Sequence, residues 1–221
     1  MEVLIVRHAI AFERDHHRWR DDGARPLSPA GIRRARKAAA GLKAFSKTPD
    51  RLLTSPLVRA KQTAQILTDA AGWPQPEEAP ELSPGEPALA VLTLLGKDRS
   101  KLVAVVGHQP GLGHLLTACL LGDGGALPIE MKKNAVACVS FEGSPRAGCA
   151  ALEWLATPRM LRGFRHDGSN ARRYPRRIAP QLAIEAEVPW PNSLMTWRFQ
   201  IPQVLPATWR SQAPPPNKPT R

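Results

Sequence analysis

Cysteine is scarce in this chain: Cys119, Cys138 and Cys149 are the three, and no two form a C-x-x-C pair. An odd count without ligand spacing argues against a disulfide framework or a zinc site, and for free thiols in a reducing compartment. Cys119 and Cys138 sit in apolar segments, as core residues would. Long hydrophobic runs are missing too, so no stretch is expected to span a bilayer. The start of the chain has an acidic Glu2 and only a short apolar run, so no signal peptide is expected, and the location expected is cytoplasmic. Two nucleotide-binding fingerprints are absent, G-x-G-x-x-G and G-x-x-x-x-G-K. His16-His17 has no carboxylate or cysteine at ligand spacing, so neither a metal nor another cofactor is expected.

Proline and positive charge are in excess: 23 prolines and a formal charge of +12. Both concentrate late. Residues 159–221 hold 11 Lys+Arg against 3 Asp+Glu. Residues 171–221 hold ten prolines and no sustained apolar period, a composition that predicts disorder. The expected division is a folded domain over residues 1–162 and a Pro/Arg-rich extension over 163–221. Trp190, Trp197 and Trp209 in a basic tail would suit an anionic surface or nucleic acid. A solvated extension accounts for the same composition, and nucleic acid is not the expected partner.

Within the folded part, apolar runs alternate with helical periods. Residues 3–7 read as a first strand, and residues 10–27 as a long charged loop. Ser28-Pro29 opens a helix, with Ser as cap and Pro in the first turn. Ile32, Ala35, Ala39, Leu42 and Phe45 then give the apolar stripe. The basic residues Arg33, Arg34, Arg36, Lys37 and Lys43 read as a solvated surface. Residues 50–54 read as a second strand, and Ser55-Pro56 repeats the cap signal before another stripe. Residues 72–87 read as a loop and 88–96 as a short helix. Residues 102–106 form a continuous apolar run, as in a central strand covered on both faces. Another helical stripe follows from Leu112 to Cys119. Residues 135–141 and 149–155 read as a hairpin, and Thr157 to Leu161 as a closing helical turn. This alternation predicts a three-layer α/β/α fold with a mostly parallel sheet and an antiparallel edge.

Open α/β sheets bind ligands at the carboxyl ends of their strands. Arg7 and His8 end the first strand, His108 ends the run at 102–106, and Arg59 opens the helix after the second strand. A first-turn arginine opposes the helix dipole, a local conflict of the kind that functional residues show. Two guanidinium groups offer a fixed fork of donors to phosphate oxygens. A neutral imidazole is a poor counterion, so one of the two histidines fits a nucleophile that holds phosphorus covalently. The other, with the arginines, would stabilise charge on the transferring group.

Arg7-His8-Ala9 resembles the R-H-G signature of the histidine phosphatase superfamily, in its phosphoglycerate-mutase-like branch. Further segments agree in order: Arg25-Pro26-Leu27-Ser28-Pro29-Ala30-Gly31, Ser55-Pro56-Leu57-Val58-Arg59-Ala60, Pro80-Glu81-Leu82 and Val106-Gly107-His108. The short length, with Asn134-Ala135-Val136-Ala137 and Ala151-Leu152-Glu153-Trp154, is most similar to the SixA-type phosphohistidine phosphatases. The similarity covers about residues 1–160. It implies a phosphoglycerate-mutase-like fold, His8 as nucleophile, a phosphate pocket of Arg7, Arg59 and His108, and no metal.

Ala9 stands where the signature has glycine, which is acceptable only at negative φ. Glu81 falls where many relatives carry a proton donor, without their acidic, glycine-rich context, so catalytic acid and plain loop carboxylate are both open. A phosphoimidazole protonated on its other nitrogen leaves as neutral imidazole and needs less of an acid. The expected activity is therefore phosphohistidine hydrolysis on a protein of a phosphorelay type. The alternatives are a small-molecule phosphomonoesterase and a phosphate- or nucleic-acid-binding protein.

Overall fold

The first strand, β1 (Glu2–Arg7), lies inside the sheet, with Val3, Leu4, Ile5 and Val6 all fully buried. The computed structural model describes residues 1–122 and 128–164. Beside β1 on one side runs β4 (Leu102–Gly107), buried at every position, then β2 (Arg51–Thr54), then the short β3 (Pro76–Glu78). These four are parallel. On the other side β5 (Val136–Phe141) pairs antiparallel with β1, and β6 (Ala150–Ala156) antiparallel with β5. The mixed sheet and the terminal hairpin match the sequence reading.

Side chains alternate faces along a strand, and β1 accordingly feeds two cores. Leu4 and Val6 join a cluster with α1 (Pro29–Phe45), α2 (Val58–Ala71) and α5 (Pro158–Gly163). Val3 and Ile5 join another with α3 (Ala88–Gly96) and α4 (Gly111–Leu121). Each such side chain contributes about 1.5–3 kcal/mol on full burial. The fold is thus the expected three-layer α/β/α arrangement. Cys119 and Cys138 are buried within it, and Cys149 is exposed.

Local rules explain most helix ends. The Ser28 hydroxyl accepts from the Gly31 N–H at 3.0 Å, and Pro29 follows as the first helical residue. Gly31 has a second duty: a Cβ there would sit 1.9 Å from the Ile10 carbonyl oxygen. The first turn of α1 therefore rests directly on the loop that leaves β1. The Thr157 hydroxyl caps α5 in the same manner as Ser28.

The structure corrects three details. α2 starts at Val58, with Leu57 as a cap that makes no side-chain bond, so Ser55-Pro56 do not open it. Residues 72–87 contain β3 and a 3-10 turn at Pro80–Leu82. Proline tolerates β3 because an edge strand needs no ladder bond from its missing N–H. The boundary drawn after residue 162 falls inside α5, and Phe164 stacks on Phe45 with ring centroids 4.9 Å apart. Packing thus continues to at least residue 164, while the remainder of the expected extension lies outside the described residues. Among the described residues, no helix is long and apolar enough to cross a membrane.

Candidate active site

Strand register brings the two histidines together. Arg7 pairs with Gly107 across β1 and β4, and the His8 N–H donates to the Gly107 carbonyl at 3.0 Å. The next residues out, His8 and His108, therefore emerge side by side. Their ring centroids are 4.9 Å apart and the planes are tilted by 51°. Both are buried, 7% and 5% exposed.

Hydrogen bonds orient each ring. His8 Nδ1 lies 2.7 Å from the Ala9 carbonyl oxygen. A carbonyl only accepts, so Nδ1 carries the proton and the Nε2 lone pair is free. His108 Nε2 lies 2.8 Å from the Ser55 hydroxyl oxygen. Ser55 follows β2 directly, is completely buried, and ties its own N–H to the Val106 carbonyl at 2.9 Å. The same hydroxyl accepts from the Leu57 N–H at 3.4 Å, one residue ahead of the start of α2 at Val58.

Arg59 sits in the first turn of α2, 4% exposed, and reaches back over the sheet edge as expected. It donates to the Asp22 backbone oxygen at 2.8 Å and lies 3.2 Å from the Asp22 carboxylate. Asp22 belongs to a 3-10 turn, Asp22–Ala24, inside the long loop after β1. Arg25 Nε donates to the same carboxylate at 2.8 Å, and Arg14 stands 3.7 Å away. The Arg25 hydrogen bond chiefly holds the Asp22 carboxyl below its ordinary pKa, with Arg59 adding to it. Arg7 donates to the Met131 carbonyl and lies 3.8 Å from Glu130.

The electrostatics are those of a site short of negative charge. Burial pushes the His8 pKa down to about 4, and the cations of Arg59, Arg7 and Lys133 push the same way. Burial, His8 and Arg59 push His108 down to about 3. Both rings are therefore neutral at pH 7. Among the described residues, three buried side-chain atoms lack a hydrogen-bond partner: Arg7 Nε, Arg59 Nε and His108 Nδ1. Buried polar atoms are normally paired, and all three exceptions belong to residues singled out from the sequence.

Glu81, the fifth such residue, is half-buried in the 3-10 turn after β3 and lines a small recess with His108. Ala9 is buried, and its N–H donates to the Thr63 hydroxyl at 3.0 Å. Asn134 is the one described non-glycine residue with positive φ, so Ala9 takes the negative φ that its methyl requires. The structure thus gathers Arg7, His8, Arg59, His108 and Glu81 at one end of the sheet. Sequence reasoning missed Asp22 and Ser55. Ser55 was findable as a polar residue at the carboxyl end of a strand, and Asp22 as an acid one helical turn before Arg25.

Comparison with known proteins agrees with this geometry. Residues 3–83 match the model of the histidine phosphatase superfamily (branch 1). An uncharacterised protein of Picosynechococcus sp. is 38% identical over 129 residues, 57% of this chain and 76% of that protein. Phosphohistidine phosphatase SixA of Escherichia coli K12 is 31% identical over 166 residues, 73% of this chain and 97% of that protein. The solved structure of the protein histidine phosphatase SixA complexed with tungstate superposes with a TM-score of 0.64 at 29% identity, covering 73% of this chain and 99% of that one. With the signature histidines and arginines gathered at one sheet edge and similarity along nearly the full length of SixA, the chain belongs to the histidine phosphatase superfamily, whose members are phosphatases.

Proposed function

We propose that the chain hydrolyses phosphohistidine on a protein through a phosphohistidine intermediate of its own. The observation that carries this is the His8–His108 pair, both rings neutral, with Arg7 and Arg59 beside them. His8 Nε2, its lone pair exposed by the Nδ1–H bond to the Ala9 carbonyl, attacks phosphorus. The bond from phosphorus to the substrate imidazole breaks. That imidazole, protonated on its other nitrogen, leaves neutral. Water then attacks phosphorus on His8, releasing inorganic phosphate and restoring the free ring. The Ala9 carbonyl steadies the Nδ1–H throughout, including while His8 bears the phosphoryl group.

Arg7, Arg59 and His108 stabilise the equatorial oxygens. Asp22 holds the Arg59 fork before substrate arrives, and the phosphoryl oxygens take over that fork on binding. The tungstate held by the structurally similar SixA supports the same reading, since tungstate is a tetrahedral oxyanion like phosphate.

A second reading has one observation in its favour. Glu81 lines the same recess as His108, where a carboxyl could protonate an alkoxide leaving group. That reading is a small-molecule phosphomonoesterase. Turnover of a phosphohistidine protein beside a panel of sugar phosphates and nucleotides separates the two. The proposal expects the protein substrate to be preferred; hydrolysis of the esters alone would sink it.

A further inference from the structure

A groove of about 560 Å³ lies beside the site, lined by Arg7, and shares no lining residue with the recess that holds Glu81. Ala9, the residue after His8, lines it, as does Asn134, whose N–H lies 3.2 Å from the His8 carbonyl oxygen. Six cations from separate parts of the chain also line it: Arg7 from β1, Arg34 from α1, Lys132 and Lys133 ahead of β5, and Arg159 and Arg162 from α5. Glu130, the acid among the lining residues, stands 3.8 Å from Arg7. The other five cations are exposed. None of the five enters an ion pair among the described residues, whereas Arg25, Arg51, Arg59 and Lys61 do.

We infer that this groove receives an acidic protein segment flanking the phosphohistidine of the substrate, and so selects which phosphoproteins are dephosphorylated. The inference rests on the phosphohistidine reading above. A phosphoryl group fills only the pocket, so whatever carries it must lie over the adjoining surface. Among the described residues, the five exposed cations of that surface have no acidic partner, and the Lys133 cation is close enough to act on His8. Exposed cations around a cleft raise the capture rate of an acidic partner without a large desolvation cost. A nucleic acid is also a polyanion, but single strands are gripped by stacking on aromatic rings. Among the described residues, no aromatic residue lines this groove.

The test uses the full chain and the triple variant Arg34→Glu, Arg159→Glu, Arg162→Glu, which leaves Arg7, Lys132 and Lys133 in place. The substrates are peptides phosphorylated on histidine with aspartate, alanine or lysine flanks, and phosphoimidazole as the unflanked control. Wild type is expected to favour the aspartate-flanked peptide over the lysine-flanked one by about tenfold or more in kcat/KM at low salt, the scale of electrostatic steering. Added sodium chloride shrinks that preference. The triple variant reverses it, the matching arginine-to-glutamine variant abolishes it, and phosphoimidazole turnover stays unchanged in all three.

An identical flank preference in wild type and both variants overturns the inference. So does an equal loss on phosphoimidazole, which would make the three arginines structural. Inhibition of wild type by RNA at concentrations where an acidic peptide has no effect would assign the groove to nucleic acid instead. If wild type cleaves phosphate esters but neither phosphoimidazole nor any of the peptides, the phosphohistidine reading itself is wrong and the inference falls with it.

Discussion

At the amino end of the sheet, charges come in matched sets. Arg51 lies between Glu77 and Asp98, with its Nε 3.0 Å from the Glu77 carboxylate. The Asp50 carboxylate accepts from the Lys101 and Leu102 N–H groups at 2.8 and 2.9 Å. Lys47 stands 3.7 Å from Glu2. At the carboxyl end, cations and imidazoles crowd together, Asp22 faces three arginines, and three buried nitrogen atoms have no partner. The same six strands run between the two ends, so composition alone does not explain the difference. One end lowers the free energy of the folded chain. The other keeps an electrostatic deficit of the kind that the phosphoryl group of the proposed substrate would remove. Strain and conflict of this kind collect at functional sites.

The comparison breaks most sharply at His8. His8→Ala should abolish turnover, and acid-labile phosphate trapped by quenched flow should map to wild type alone. Label retained in the variant would overturn the nucleophile assignment.

Arg59→Ala should cost about two to three decades in kcat, as expected when a charged transition-state donor is lost. Thermal denaturation should show little loss of stability, because removing one cation relieves the crowding there. A large fall in Tm with kcat unchanged would place Arg59 among the structural residues.

Arg51→Ala should do the opposite at the other end. It leaves the buried Asp98 side chain without its cation, at a cost of about 1–3 kcal/mol in stability. Denaturant titration measures that cost, and kcat should be unaffected.

The smallest effect expected is on pH dependence. His8 and His108 titrate near 6.5 when unfolded, and their folded values are pushed down to about 4 and about 3. Between those values the unfolded chain binds more protons. The stability is fully present above about pH 6.5 and is lost as pH falls toward the folded values. Tm measured from pH 7 to pH 4 should fall, and His8→Phe should fall less steeply. Equal slopes would mean that burial, and the cations of Arg59, Arg7 and Lys133 beside it, do not depress His8.

Much of this was legible in the chain itself. The apolar run in β4 reads as a strand covered on both faces, and Ser28-Pro29 marks the start of α1. Arg7, His8, Arg59 and His108 are visible because each falls at or near the carboxyl end of a strand, whereas Glu81 is visible only through the family resemblance. Ser55 misled because the cap rule is local, and its hydroxyl also meets an imidazole 53 residues away. Asp22 was hidden for the same reason, since its partner Arg59 lies 37 residues on. β3 was hidden because three residues starting with proline carry no period.

The sequence by itself determined which side chains arrive at strand ends, since alternating apolar runs and helical stripes leave few other places for them. It did not determine which ends are neighbours. The tertiary structure decided that by placing β4 between β2 and β1, out of chain order, in a register that pairs Arg7 with Gly107. Backbone hydrogen bonds and burial on both faces fix that register, and the register sets His8 beside His108 and Ser55 beneath it.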